Sequence, residues 1–133
     1  MSGPAHNYPG SFSEVWDNSS IASVIPMVEE TTAVDNLDDI LTVPGVDVLH
    51  VASGDLGQSM GNPGPEKVRD LMRQVVPRIR AGGKAVGVGG NSPSDAVGVA
   101  EFIKLGANFV TISAWGLLRL GAEDFRQRVA AAL

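Results

Sequence analysis

The sequence predicts an α/β fold built from four successive β-α units. Three observations support this prediction. Short apolar runs rich in β-branched residues alternate with longer segments in which apolar residues recur every three or four positions. Glycine or proline separates most of these segments. The strand-like runs are apolar at nearly every position, which is typical of a parallel sheet covered by helices rather than of a half-solvated one.

The first unit begins with the run ASVIPMVEE, which we interpret as a strand ending at Glu29. The apolar spacing of the next segment, TTAVDNLDDILTVPG, predicts one helix that is capped by Thr31 or Thr32 and ended by its Pro-Gly pair. Residues 1–20 are rich in Gly, Pro, Ser and Asn and predict an irregular segment. We therefore expect the domain to span residues 21–133.

The other three units follow the same plan. VDVLHVA is the second strand, and a helix follows from Pro65 to Gly82, with a kink expected at Pro77. KAVGVGG is the third strand, followed by a helix capped by Ser92; NFVTISA is the fourth, followed by a helix in EDFRQRVAAAL. Four such units fit a small doubly wound sheet or half of a (β/α)8 barrel, since a complete barrel takes about 250 residues.

Composition and charge narrow the classes of partner. Fifteen acidic and ten basic side chains give a formal charge of −5, which disfavours binding to nucleic acids and to anionic membrane surfaces. The chain has no cysteine, which excludes thiolate metal sites and thiol nucleophiles. The sequence also has no signal-peptide pattern and no apolar run long enough to span a membrane. These features predict a soluble, cytoplasmic protein.

Two carboxylates are the main candidates for chemistry. Glu29 ends the first predicted strand and Asp55 follows the second. Neighbouring parallel strands lie about 4.8 Å apart, so both side chains are expected at one rim of the sheet. Like charges placed so closely favour a cation between them, and Mg²⁺ is often held by only one or two carboxylates. In the alternative interpretation, Glu29 caps the next helix or pairs with a base, and Asp55 forms a turn.

The small residues before Asp55 suggest a second use for this rim. In the stretch ASGD, the backbone amides of Gly54 and Asp55 can approach an anion closely, as they do in carboxylate-binding nests. A plain tight turn is the alternative. A cation at the acid pair and a nest beside it would together hold a 2-oxo acid.

Two further features are weaker candidates. The stretch GVGGNS has the glycine density of a phosphate loop, with Gly89, Gly90 and Ser92 as its binding residues. It lacks both the third glycine of a dinucleotide loop and the lysine of a P-loop. His50 lies inside a predicted strand, where a hydrogen-bonded core imidazole is the favoured interpretation over a general base.

A longer stretch of the chain resembles a known family. The segment VIPMVEETTAVDNLDDILTVPGVDVLHVASGDLGQSMG is similar to the metal-binding half of the HpcH/HpaI aldolase/citrate lyase family, the class II pyruvate aldolases. The shared pattern is a strand-ending Glu, an A-x-D-N-L-D-x-I helix, V-x-G-V-D before the next strand, and G-D-L followed by S-x-G. The resemblance continues through IRAGGKAVGV and LGANFVTISAWGLL, and covers Phe12 to Leu133.

The resemblance implies specific roles for the rim residues. Glu29 and Asp55 would ligate Mg²⁺, Mn²⁺ or Co²⁺, which binds pyruvate and stabilises its enolate, while the amides of Gly54 and Asp55 would bind the pyruvate carboxylate. The chain departs from the family in having A-S-G-D where G-P-A-D is usual. The family's proton-transfer His and enolate-stabilising Arg come from the first half of its barrel, which this chain lacks, so no catalytic residue can be assigned.

The resemblance favours the half-barrel over the doubly wound sheet. Because half a barrel leaves two sheet edges and an open rim, we expect a second copy of the chain or a separate first-half subunit to complete it. The predicted function is a metal-dependent carbon–carbon lyase that acts on 2-oxo acids through a pyruvate enolate. The alternatives are a non-catalytic half-barrel that binds or assembles, and a small phosphate-binding domain.

Overall fold

A computed structural model describes residues 24–133, apart from the side chain of Asn91. The irregular segment expected at residues 1–20 lies outside the described residues. Within them, four strands and six helices follow one another in this order: β1 (Met27–Val28), α1 (Thr31–Asp35), α2 (Leu37–Leu41), β2 (Val48–Ala52), α3 (Ser53–Ser59), α4 (Pro65–Ala81), β3 (Ala85–Asn91), α5 (Ala96–Lys104), β4 (Phe109–Ile112) and α6 (Ala114–Ala132). None of these helices is both long and apolar enough to cross a lipid bilayer.

The four strands form one parallel sheet in the order β1-β2-β3-β4. Each strand pairs with the next strand in the sequence, so the order never reverses. A doubly wound sheet requires such a reversal, and the described strands therefore do not form one. Connections between parallel strands are right-handed. Because each strand lies on the same side of the one before it, all the connecting helices pack on the same face of the sheet. The order confirms the predicted α/β fold of four β-α units.

The hydrophobic core lies between the sheet and this layer of helices. Alternate residues of the strands, such as Leu49, Val51 and Val88, point toward the helices and are fully buried in this core. From the helix side, α4 contributes its apolar stripe, whose spacing of three and four residues matches the predicted face: Val68, Met72, Val75, Val76 and Ile79. Burying each side chain of this size contributes about 1.5–3 kcal/mol. One face of each strand therefore packs in the core, and the opposite face does not contact the described helices.

The leftover face of the sheet carries a different set of residues. We call it the open face, and its described residues include Met27, His50, Gly87, Gly89, Phe109 and Thr111. No described helix packs on it. Met27 is 48% exposed and Phe109 is 42% exposed, although both are large and apolar. In a closed barrel this face would point to the interior.

Several element boundaries differ from the sequence predictions. The first strand is only two residues long, Met27–Val28, and therefore ends one residue before Glu29. The helix expected over residues 31–45 is two short helices separated at Asn36. Asn36 leaves the helical conformation (φ −95°, ψ 15°), and its side-chain amide donates to the carbonyl of Thr32 at 2.8 Å. This local hydrogen bond competes with the helical backbone pattern.

The later units also contain differences. The segment after the second strand, where the sequence suggested a nest or a tight turn around Asp55, is the helix α3. Asp95, rather than Ser92, caps α5: its carboxylate accepts a hydrogen bond of 2.9 Å from the amide of Gly98. The last helix begins at Ala114, nine residues before the predicted start. Its first nine residues, AWGLLRLGA, contain two glycines, which disfavour a helix in the local sequence.

Candidate functional site

The carboxyl ends of β1 and β2 bring the two predicted acids to the same rim. Glu29 directly follows Val28, which pairs with Val51 in β2. Asp55 lies in the first turn of α3, which starts immediately after β2 without a loop. Because both strands end at this edge, Glu29 and Asp55 are carried by neighbouring elements at one end of the sheet.

The two acids line one open depression, which we call the acidic depression. It encloses roughly 450 Å³ and is lined by Glu29, Glu30, Asp55, Gln58 and Ser59. Glu29 is half-buried and Asp55 is exposed. Neither carboxylate forms an ion pair with any lysine or arginine of residues 24–133. Within this part of the chain, both negative charges are therefore left without a neighbouring cation.

Two other polar groups of the depression, those of Glu30 and Ser59, form local hydrogen bonds. The carboxylate of Glu30 accepts a hydrogen bond from the Thr32 hydroxyl at 3.1 Å. The hydroxyl oxygen of Ser59 accepts one from the Thr31 amide at 3.0 Å. Ser59 thereby ties the start of α1 to the end of α3. These contacts hold the two walls of the depression together.

The donor set of the depression fits a hard divalent cation. Its side chains offer only oxygen donors and one amide nitrogen, and oxygen ligands are those that Mg²⁺ prefers. Among the described residues, no group of three or more His, Cys, Asp or Glu side chains is arranged to hold a metal. A cation held here by Glu29 and Asp55 would need water or ligand oxygens to complete its coordination.

The amides of Gly54 and Asp55 lie at the start of a helix and not in a loop. No side chain caps α3, so its first-turn amides lack a partner of the kind that most helix starts have. The small residues of ASGD keep the approach to these amides open, since a side chain at Gly54 would meet nothing within 4 Å. Asp55 lines the acidic depression, whereas Gly54 lines a second cavity, together with Gly90 and Ser92.

The residues of the alternative phosphate site are separated by the fold. Gly89 is buried within β3, whereas Gly90 and Ser92 line a different cavity of about 280 Å³ behind the rim. This second cavity also contains Arg69, whose guanidinium donates to the carboxylate of Asp95 at 2.6 Å. The hydrogen bond lowers the pKa of Asp95, so the pair is charged and mutually neutralised. The cavity consequently offers little free positive charge to an anion.

His50 is buried, as the sequence interpretation expected, and only 8% of it is exposed. Its Nε2 lies 3.5 Å from the Thr111 hydroxyl, at the outer limit of a hydrogen bond. Its Nδ1 has no hydrogen-bond partner among the described residues. Burial lowers the pKa of the imidazole, so the ring is neutral at neutral pH.

Sequence reasoning missed three residues of this rim. Gln58 and Ser59 follow Asp55 by three and four positions, which places them beside it on one helical face. This spacing would have identified them had α3 been recognised as a helix. Thr111 carried no signal of its own, because its place beside His50 depends on the pairing of β3 with β4.

Known proteins resemble this chain both in sequence and in fold. The 2-keto-3-deoxy-L-rhamnonate aldolase of Escherichia coli strain K12 is 37% identical over 112 residues, which cover 82% of this chain and 40% of that enzyme. The same enzyme from E. coli strain HS matches to the same extent. The chain therefore spans about two fifths of the length of the curated relatives that it matches.

Solved structures share the fold at lower sequence identity. An HpcH/HpaI aldolase/citrate lyase family protein from Burkholderia cenocepacia J2315 superposes with a TM-score of 0.75 at 24% identity, covering 90% of this chain and 47% of that protein. An HpcH/HpaI aldolase from Desulfitobacterium hafniense DCB-2 gives a TM-score of 0.66 at 22% identity, covering 90% and 48%. The sequence signature of the family itself matches residues 15–126. This chain belongs to the HpcH/HpaI aldolase/citrate lyase family, and its four β-α units correspond to part of that family's barrel-like aldolase fold.

Proposed function

We propose that this chain carries the cation-binding and oxo-acid-binding part of a divalent-metal-dependent carbon–carbon lyase that acts on 2-oxo acids. The observation that supports the proposal is the acidic depression, where Glu29 and Asp55 form no ion pair with any lysine or arginine that the structure describes. The E. coli relatives are named as aldolases of a 2-keto-3-deoxy acid, which is a substrate of this class.

The proposed roles follow from the groups at the rim. Glu29 and Asp55 hold Mg²⁺, or Mn²⁺ or Co²⁺, through their carboxylate oxygens. When bound, such a cation stabilises the negative charge that develops on the oxygen of an enolate. The amides of Gly54 and Asp55 bind the substrate carboxylate and thereby orient the oxo group toward the acid pair. The half-buried position of Glu29 limits its motion, which keeps this arrangement ready for the ligand.

Removing either charge of the pair tests this proposal. We expect Glu29→Gln and Asp55→Asn each to weaken Mg²⁺ binding at least about tenfold in calorimetry and to abolish pyruvate release from a 4-hydroxy-2-oxo acid. Both substitutions preserve shape and remove only the charge. Asp39→Asn is the matched control, because Asp39 is exposed on α2 and does not line the depression.

The outcomes separate the lyase from its alternatives. Metal binding that depends on the acid pair, without any turnover, supports a non-catalytic binding half-barrel. Metal affinity that is unchanged in both variants contradicts the proposed site. Phosphate bound beside Ser92, with no cation at Glu29 and Asp55, supports the phosphate-binding alternative.

The exposed apolar surfaces of the described residues support an assembly. We propose that a second copy of this chain, or a separate first-half subunit, covers the open face. The helix α6 has no buried residue, and several of its large apolar side chains are more than half exposed: Trp115, Leu117, Leu118 and Phe125. Apolar surface of this extent is typical of an interface between subunits.

A further inference from the structure

His50 is a polar ring held in place on the open face, away from the helices. Its neighbours in β2, Leu49 and Val51, are buried in the core on the other face. The imidazole meets the edge of Phe109, with ring centroids 5.8 Å apart and ring planes at 73°. Met27 pairs with His50 in the sheet, so the neighbours of His50 on this face include two large apolar residues, Met27 and Phe109. An apolar side chain would fill this position without any unpaired polar atom.

Two glycines of β3 provide the space for the ring. A Cβ atom on Gly87 would lie 2.3 Å from Nδ1, and one on Gly89 would lie 2.3 Å from Nε2. Gly89 pairs with Ala52, the last residue of β2 before the helix that carries Asp55. Nε2 is therefore the nitrogen nearer the rim. By the strand register, Nε2 lies near the level of Ala52, one or two strand spacings, or about 5–10 Å, from β1.

Thr111 completes a polar pair at this position. Its hydroxyl lies 3.5 Å from Nε2 and, unlike the ring, Thr111 is exposed. The register between β3 and β4 shifts between Val88 and Asn91, and bulges of this kind redirect side chains beside functional sites. The pair offers a hydrogen-bond donor and an acceptor on a surface that is otherwise apolar. Its mutual contact is too long to satisfy both groups.

We propose that His50 and Thr111 form a hydroxyl-binding pair, which contacts a hydroxyl group of a 2-oxo acid held at the acidic depression. This inference rests on the proposed function and adds a specificity to it. A hydroxyl group both donates and accepts, so it satisfies the neutral imidazole and the threonine together. A ligand without the hydroxyl leaves the imidazole and the threonine hydroxyl without a hydrogen-bond partner. The site should therefore bind such a ligand much more weakly.

Two small 2-oxo acids test the pair directly. Pyruvate and 3-hydroxypyruvate differ by one hydroxyl, and neither has the carbon–carbon bond that a retro-aldol reaction cleaves. We expect calorimetry on the whole chain with Mg²⁺ to show 3-hydroxypyruvate binding at least about tenfold tighter. His50→Phe and Thr111→Val should each bring the ratio close to one, while pyruvate affinity changes less than about threefold.

A matched control and a direct signal complete the test. Thr42→Val removes a hydroxyl that donates to the carbonyl of Asp39 at 2.7 Å, at the far end of α2, and should leave the ratio unchanged. The chain has only two histidines, so a His6→Gln background leaves one imidazole. Its ¹⁵N signals should shift on addition of 3-hydroxypyruvate and not of pyruvate. A purely structural histidine would show no such difference.

Equal affinity for the two acids in the unsubstituted chain overturns the hydroxyl-binding pair. A preference that survives in folded Thr111→Val overturns it as well, even if His50→Phe does not fold. If binding requires Glu29 and Asp55 but ignores His50, the proposed function stands and this inference fails. If neither acid binds in the presence of Mg²⁺, both proposals fail together.

Discussion

Gly87 and Gly89 show how the space around one residue limits its neighbours. In the sequence they are two members of a glycine-rich strand, and a phosphate loop was one interpretation of that density. In the structure both are buried, and any side chain at either position would collide with His50. Because neither glycine has a side chain, the imidazole of His50 can lie over both of them on the open face.

A single methyl group tests this packing. We expect Gly87→Ala to lower the free energy of unfolding by about 1–3 kcal/mol, because the added carbon forces His50 and Phe109 to move. Gly121→Ala is the control, since a Cβ atom there meets nothing within 4 Å, and alanine favours a helix by up to about 1 kcal/mol. Urea unfolding measures both. Equal stability of Gly87→Ala and the unsubstituted chain would contradict the described ring position.

At the scale of elements, ion pairs join α4 to α5 across the helix layer. Arg69 binds Asp95 at 2.6 Å, and Arg73 binds Glu101 at 2.6 Å, with Glu66 and Asp70 also in contact with Arg73. Arg69 and Arg73 are one turn apart, so both project from the same side of α4. The hydrogen bonds from these arginines lower the pKa values of Asp95 and Glu101. The acids therefore prefer the charged state when the chain is folded.

These pKa shifts predict a loss of stability in acid. A carboxyl whose pKa is lowered on folding stabilises the protein above its ordinary pKa and loses this effect as the pH falls through the lowered value. For Asp95 and Glu101 this loss starts near their ordinary values of 3.8 and 4.5. Burial lowers the pKa of His50 from 6.5, so protonation of the ring also destabilises the folded chain as the pH falls. This loss of stability begins at a higher pH than the loss from the two carboxyls.

Thermal unfolding between about pH 8 and pH 3 measures these contributions. We expect the melting temperature to fall as the pH decreases, with a shallower fall below pH 5 in Asp95→Asn and Glu101→Gln. His50→Phe should remove the decline that begins near 6.5. Asp39→Asn provides the control, since it belongs to no ion pair among the described residues. A pH profile that is identical in all variants would contradict the described ion pairs.

At the scale of the whole molecule, no helix of residues 24–133 covers the open face of the sheet, and the helix α6 buries none of its residues. The core occupies the space between the sheet and the helices α1 to α5, whereas α6 contributes no buried residue. The open face and α6 together expose large apolar side chains to water, at a cost of about 25 cal/mol per Å². The proposed assembly would remove this surface from water.

Sedimentation tests the assembly. We expect the chain to sediment as a dimer or larger species, and Phe125→Ser to shift it toward the monomer, because Phe125 is 66% exposed on α6. Gln127→Ser is the matched control, since it replaces a polar residue on the same helix. A stable, well-folded monomer that also fails to associate with a first-half subunit would contradict the proposal.

Part of the candidate site could be predicted from the amino-acid sequence. Glu29 and Asp55 were placed at one rim because each follows an apolar run, and parallel strands end at the same edge. The helix α3 was not predicted, since its sequence SGDLGQS has two glycines and only one large apolar residue. The helix α3 is stabilised by its packing: its Leu56 is buried, and its Gly57 lies against Val68 of α4. Such contacts cannot be read from local propensity.

The sequence by itself determined the alternation of strands and helices, the buried stripe of α4 and the rim that carries the acid pair. These features depend on the periodicity of nearby residues and on chain connectivity, which are local properties. Only the tertiary structure decided the sequential strand order, the contact of His50 with Thr111 and the exposure of α6. Those features depend on pairings between residues far apart in the chain, whose free energies no local pattern records.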